Sequence, residues 1–176
     1  MRFFETKIKD CYRVELEKRG DERGFFARLF CSKEFEGIGH DFKLKQANDS
    51  FSADRGTLRG MHYQVGNSSE TKIIRCLKGS IYDVVIDLRP ESKSYLAWDG
   101  FHLDELNRSM IVVPKGCAHG FLTMEKNTEV FYLVDAVYTP EDEDGIRWND
   151  PTFKIEWPMV PKVISSKDQN WSDYIK

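Results

Sequence analysis

The sequence predicts an all-β fold, a sandwich or barrel of short strands, and three observations carry that expectation. Short apolar or alternating runs dominate the chain and are broken by Gly, Pro, Asn and Asp. Helical signals are brief and sit between the strands rather than alternating with them. No dinucleotide-binding or Walker-type loop is present, since Gly37-Ile38-Gly39 is too short and no Gly-Lys-Ser/Thr occurs. Many short strands separated by turn signals define a sandwich or barrel architecture.

The elements follow from local pattern. From Ser80 to Leu88 the chain alternates, with Tyr82, Val84, Ile86 and Leu88 on one face and Ile81, Asp83, Val85 and Asp87 on the other. Val130 to Tyr138 is rich in β-branched and aromatic residues, and Met110-Ile111-Val112-Val113 ends at Pro114. A short helix is expected over Ser32–Glu36, with Ser32 as its cap and Gly37 as its stop. A second helical turn is expected to begin at Ser165 or Ser166.

At 176 residues the chain predicts one domain, 1–176, large enough for a substantial core. The aromatic load is high, with 12 Phe, 7 Tyr and 4 Trp, while the net charge is only −3. Lys and Arg are dispersed, which excludes a nucleic-acid surface and leaves room for a few placed arginines on a small phosphorylated ligand. No apolar run reaches membrane-spanning length, and Met1-Arg2-Phe3-Phe4-Glu5 lacks the apolar core of a signal peptide. Cys11, Cys31, Cys76 and Cys117 form no C-x-x-C pair and read as reduced thiols of a cytoplasmic protein.

The chemistry concentrates in Gly56-Thr57-Leu58-Arg59-Gly60-Met61-His62-Tyr63-Gln64 and in Lys72. A histidine takes a proton and a lysine stabilises the anion left behind. Lys72 shares a strand face with Ile74 and Cys76, so it either points inward to serve a ligand or faces solvent from an edge strand. Tyr132 shares a face with Val130, Val134 and Ala136, which suits a phenol in a cavity or a core tyrosine bonded to backbone. Arg59 and His62 have opposite parity on a regular strand, and a bulge at Gly60 is what would aim both into one cavity. Cys117 lies two residues before His119, but a small buried cysteine explains it better than a nucleophile.

The stretch from Gly56 through His62, Gln64, Glu70 and Gly79 resembles the first cupin motif, and Pro114, Gly116 and His119 resemble the second. Metal-binding cupins place a second histidine where Gln64 stands, so two histidines plus Glu70 make a poor metal set. The matching pieces run almost end to end. They include Asp21 to Phe26, Gln46-Ala47-Asn48, Gly79 to Val84, Pro114 to Phe121, Gly145 to Pro151, Ile155-Glu156-Trp157-Pro158 and Ser166-Lys167-Asp168. Together they resemble the dTDP-4-dehydrorhamnose 3,5-epimerase family.

That resemblance implies a double-stranded β-helix, or jelly-roll cupin barrel, with short peripheral helices, and a homodimer paired through N-terminal strands. It implies His62 as base with Asp168 bonded to it, Tyr132 as acid on the opposite face of the sugar, and Lys72 at the C4 carbonyl oxygen. Arg23, Phe26, Gln46, Asn48, Arg59, His119 and Glu143 would line the substrate site. No metal or other cofactor is implied, and the partner is a nucleotide-linked sugar, dTDP-linked by resemblance. One position departs from the family, because Arg28 stands where the double epimerases carry glutamate. Alternatives are an epimerase of one centre, C3 or C5, an epimerase of another nucleotide-linked keto-sugar, or a non-catalytic sugar-binding cupin.

Overall fold

The computed structural model describes residues 1–174. In chain order the strands are β1 (Arg2–Glu5), β2 (Tyr12–Glu15), β3 (Arg19–Asp21), β4 (Gly24–Phe26), β5 (Gln46–Ser52), β6 (Thr57–Gln64) and β7 (Lys72–Lys78). They continue as β8 (Ser80–Asp87), β9 (Trp98–Asp104), β10 (Met110–Val113), β11 (Cys117–Thr123), β12 (Thr128–Val134), β13 (Glu143–Gly145) and β14 (Val163–Ile164). Two short helices interrupt them, α1 (Ser32–Glu36) and α2 (Ser166–Gln169). Among the described residues no helix is long and apolar enough to cross a membrane.

Six strands form one antiparallel sheet in the order β1-β2-β10-β7-β12-β5, and five form the other in the order β13-β6-β11-β8-β9. Strand β14 adds to β6 in parallel, and β3–β4 is a separate hairpin. Neighbours in each sheet come from distant parts of the sequence, the crossing pattern of a jelly roll.

Burial explains why these runs are strands. Between the sheets pack Ile74, Cys76 and Val130 from the first and Ile81, Val85, Cys117 and Phe121 from the second. The outer face of the first sheet, through Val14, Ile73, Met110 and Val112, is covered by Phe35 of α1 and by Phe42. The outer face of the second, through Met61, Val84, Ile86 and Ala118, is covered by Ile146, Phe153, Trp157 and Tyr174. Both faces of β8 are therefore buried, which is why its apolar residues occur at both parities.

Two local expectations need correction, the cap of α1 and the end of β12, while the stop at Gly37 holds. Ser32 does not cap α1: Cys31 holds the cap position, and its carbonyl accepts the N–H groups of Glu34 and Phe35. Gly37 ends that helix with an ordinary right-handed φ of −61°, and the left-handed turn falls at Gly39. The strand expected to run to Tyr138 stops at Val134, where Asp135 turns away to accept the Thr71 N–H at 2.6 Å.

Asp87, fully buried, links the end of β8 to the following loop. Arg89 grips it through two N–H···O bonds of 2.8 Å, and the hydroxyls of Ser92 and Ser94 also donate to it. Burial opposes its ionisation, but these donors prevail and hold its carboxyl at about 2. A depressed folded-state pKa adds stability that is complete above the ordinary carboxylate range and is lost as pH falls toward 2. Asp87→Asn is expected to cost about 2 kcal/mol at neutral pH and to flatten the acid limb of a urea-unfolding series below pH 4.

Candidate active site

Between the sheets lies a cavity of about 490 Å³. Arg59 and His62 of β6 and His119 and Phe121 of β11 form one wall, with Lys72, Ile74, Val130 and Tyr132 of β7 and β12 opposite. A second cavity of about 390 Å³ adjoins it, lined by Gln46, Asn48, Gln64, Glu70, Tyr138 and Glu143. His62, Lys72 and Tyr132 line both, so they stand where the two spaces meet.

The backbone of β6 makes this possible. His119 is opposite His62 and Phe121 is opposite Arg59, so β6 uses one residue more than β11 over that interval. This is the bulge expected at Gly60, and it brings Arg59 and His62 to one cavity despite their opposite parity. Gly60 has φ +133°, and a Cβ there would lie 2.5 Å from the Gly120 Cα. Two strands approach so closely at this point that only glycine fits.

His62 Nε2 is 2.6 Å from Asp168 Oδ1, and the other carboxylate oxygen accepts the Gly60 N–H at 3.2 Å. Asp168 is presented by α2, whose cap residue Ser165 accepts the Asp168 N–H at 3.0 Å. Burial works against the charge on Asp168, but the bonds from His62 and Gly60 hold its carboxyl below the ordinary range. An ionised Asp168 fixes the imidazole and stabilises it once protonated.

Lys72 does not face solvent from an edge. Strand β7 lies between β10 and β12, and the Lys72 ammonium, 12% exposed, pairs with Glu70. Tyr132 projects into the cavity, and its phenol is raised above the ordinary tyrosine range, first by burial and then by the Glu70 charge. It is therefore a protonated hydroxyl at neutral pH.

Arg59 donates to Ser52 Oγ and to the Phe51 carbonyl, which holds it at the cavity rim. Gln46 accepts the Tyr138 N–H through its side-chain oxygen at 2.5 Å, and Asn48 is paired with Tyr132 in strand register. Glu143 pairs with Lys167 at 2.5 Å and accepts the Tyr138 hydroxyl. Lys167 lines the larger cavity and was not singled out from the sequence. Its place beside Asp168 in Ser166-Lys167-Asp168 was the available signal.

Arg23, Phe26 and Arg28 do not reach this cavity within their own chain. Arg23 is exposed and paired with Asp21, while Phe26 is 70% exposed on the β3–β4 hairpin. Arg28 pairs with Glu34 at 2.7 Å beside Phe26, Met1 and Glu17 in a separate surface groove.

The candidate metal donors His62, His119 and Glu70 are engaged elsewhere, by Asp168, Asp83 and Lys72 respectively. Among the described residues no cluster of three or more His, Cys, Asp or Glu is arranged to hold a metal ion. Cys117 is buried, which pushes its thiol up and leaves it unreactive.

A jelly roll with an imidazole–carboxylate pair on one wall and an ammonium and a phenol on the other defines a proton-transfer enzyme of the cupin class. Residues 5–175 match the family model described as dTDP-4-dehydrorhamnose 3,5-epimerase. The enzyme of that name from Escherichia coli (strain K12) is 39% identical over 171 residues, covering 96% of this chain and 92% of that one. The crystal structure of the Bacillus anthracis enzyme of that name, with TDP and pyrophosphate bound, superposes with a TM-score of 0.94 at 38% identity, covering 98% of this chain and 99% of that one. A Legionella pneumophila 3,5-epimerase in complex with dTDP-4-keto-L-rhamnose gives 0.88 at 35% identity, covering 95% and 89%. The chain belongs to the dTDP-4-dehydrorhamnose 3,5-epimerase family, and it is an isomerase.

Proposed function

We propose that this cavity inverts C3 and C5 of dTDP-4-dehydro-6-deoxyglucose, giving dTDP-4-dehydrorhamnose, by proton removal and return through an enolate. The observation that carries the reading is the placement of His62 with Asp168 on one wall and Lys72 with Tyr132 on the other. A proton α to a ketone is weakly acidic, so its removal needs both a base and a charge at the developing enolate oxygen. His62 takes the proton and Asp168 stabilises the imidazolium. Lys72 faces the C4 oxygen, with Glu70 keeping its ammonium in place. Tyr132 returns a proton from the opposite side, which is what changes the configuration.

Arg59 and Lys167 are suited to the diphosphate, and Gln46, Asn48, His119 and Glu143 to the sugar and the remaining surface of the ligand. The whole chain, 1–176, serves as one catalytic domain, and its free cysteines suit the cytoplasm. Incubation with dTDP-4-dehydro-6-deoxyglucose and a ketone reductase, followed by NMR of the trapped sugar, tests the reaction. An L-rhamno product is expected. A product that keeps the starting configuration at C3 and C5 overturns the reading.

The same reading includes a homodimer, and the β3–β4 hairpin suggests how it serves the site. Arg23 and Phe26 have no contact with the cavity of their own chain, yet the hairpin offers an exposed aromatic surface beside an exposed arginine. Their proposed place is the partner's cavity. Co-expressed His62→Ala and Arg23→Ala chains then form heterodimers with one intact site, and activity should return to about a quarter of wild type. No recovery above either variant alone overturns this arrangement.

A further inference from the structure

The cavity wall holds a second imidazole–carboxylate pair whose chemistry differs from the first. His119 lies directly across from His62 in strand register, and its Nε2 is 2.7 Å from Asp83 Oδ2. Asp83 is on the interior face of β8 with Ile81 and Val85 and is 0% exposed. Its other oxygen, Oδ1, is buried and has no hydrogen-bond partner among the described residues. The contrast with Asp168 is chemical. Both oxygens of Asp168 are bonded, one to His62 and one to the Gly60 N–H, and these bonds hold its carboxyl below the ordinary range.

An ionised carboxylate as enclosed as Asp83 is costly unless a countercharge is held against it. Burial accordingly raises its carboxyl above the ordinary range. Two arrangements avoid an isolated charge. Either the carboxylate faces an imidazolium, or the carboxyl keeps the proton and donates it to Nε2. In both, His119 carries hydrogen on Nδ1, because a ring that accepts at Nε2 has its own proton on the other nitrogen. Nε2 is the ring nitrogen of His119 that is bonded among the described residues, which leaves Nδ1 for a ligand in the cavity that His119 lines.

We infer that Asp83 is a positioning residue that locks His119 as a permanent Nδ1–H donor toward an oxygen of the sugar held against His62. The identity of that acceptor rests on the proposed epimerase reading; the protonation of His119 does not. The two histidines then divide the labour: His62, 33% exposed, meets a carboxylate bonded at both oxygens, while His119, 10% exposed, meets one bonded at a single oxygen. The groups facing His119 are Asp83 behind it, His62 and Arg59 on β6, and Lys72 and Tyr132 across the cavity.

Nitrogen NMR of the ¹⁵N-histidine-labelled protein without substrate tests the lock directly. In wild type the Nδ1 hydrogen of His119 should persist from about pH 6 to about pH 9, through the range in which an ordinary imidazole loses one. In Asp83→Asn the amide offers Nε2 either an N–H or an oxygen and no charge, so the ring hydrogen is no longer fixed on Nδ1 and should divide between the two ring nitrogens above neutrality. The same variant should lower kcat/KM about 10- to 100-fold, chiefly through kcat, as loss of one charged hydrogen bond requires. A wild-type Nδ1 without hydrogen at neutral pH overturns the inference, as does a folded Asp83→Asn enzyme with wild-type kcat/KM. If Asp83→Asn does not fold, the wild-type titration alone decides. If wild type holds its Nδ1 hydrogen but turns over no keto-sugar, the lock stands and the epimerase reading fails.

Discussion

His62→Ala should lower turnover of the keto-sugar about 1,000-fold or more while leaving the protein folded, the upper part of the range for loss of a general base. The side chain is one-third exposed, so its removal opens no sealed core cavity. Asp168 keeps the Gly60 N–H and its place on α2, so the site does not collapse around a charge without partners. Circular dichroism and a thermal midpoint within a few degrees of wild type check the fold, and a single-turnover rate checks the chemistry. A variant that folds and retains near-normal rates means that another group is the base.

Tyr132→Phe should separate proton removal from inversion. The substitution deletes one hydroxyl and preserves the ring that packs against the interior cluster, so the cavity keeps its shape. With the phenol gone and Lys72 held at the C4 oxygen, the enolate is reprotonated mainly by the group that formed it, and the original configuration returns. Exchange of the α-protons with solvent should continue at a rate near wild type, while net inversion falls about 100-fold or more. The raised phenol predicts that wild-type inversion does not decline between pH 7 and pH 9 through loss of the Tyr132 proton. Exchange and inversion falling in parallel would place Tyr132 in the first proton transfer instead.

Much of the catalytic wall was legible in the sequence because strand parity and glycine chemistry are local. The conflict of parity between Arg59 and His62 required a bulge, Gly60 was the residue able to provide it, and β6 contains it. The face shared by Lys72, Ile74 and Cys76 left inward and outward readings open, because parity does not say which face is inside. The central place of β7 decides it, and that depends on pairing with β10 and β12 from 30 or more residues away.

Burial of charge was less legible. Asp83 and Asp87 alternate with Ile81 and Val85 in a pattern that serves equally for solvent-facing carboxylates, yet both are wholly interior. Each is tolerated through a partner elsewhere in the sequence or the loop, His119 for one and Arg89 with two serines for the other. The cap of α1 was misread because Cys31 satisfies the helix start with backbone alone, leaving no side-chain signature. Lys167 escaped notice because a lysine in a short helix reads as a solvated charge until β13 brings Glu143 against it.

One base, one acid and one oxyanion partner are proposed to act on both carbons flanking the keto group. Incubation of the wild-type enzyme with dTDP-4-dehydro-6-deoxyglucose in heavy water, followed by mass and NMR analysis of the sugar, tests it most directly. Deuterium is expected at both C3 and C5, with incorporation at both lost together in His62→Ala. Deuterium at a single carbon, or incorporation at either carbon that survives the loss of His62, would contradict it.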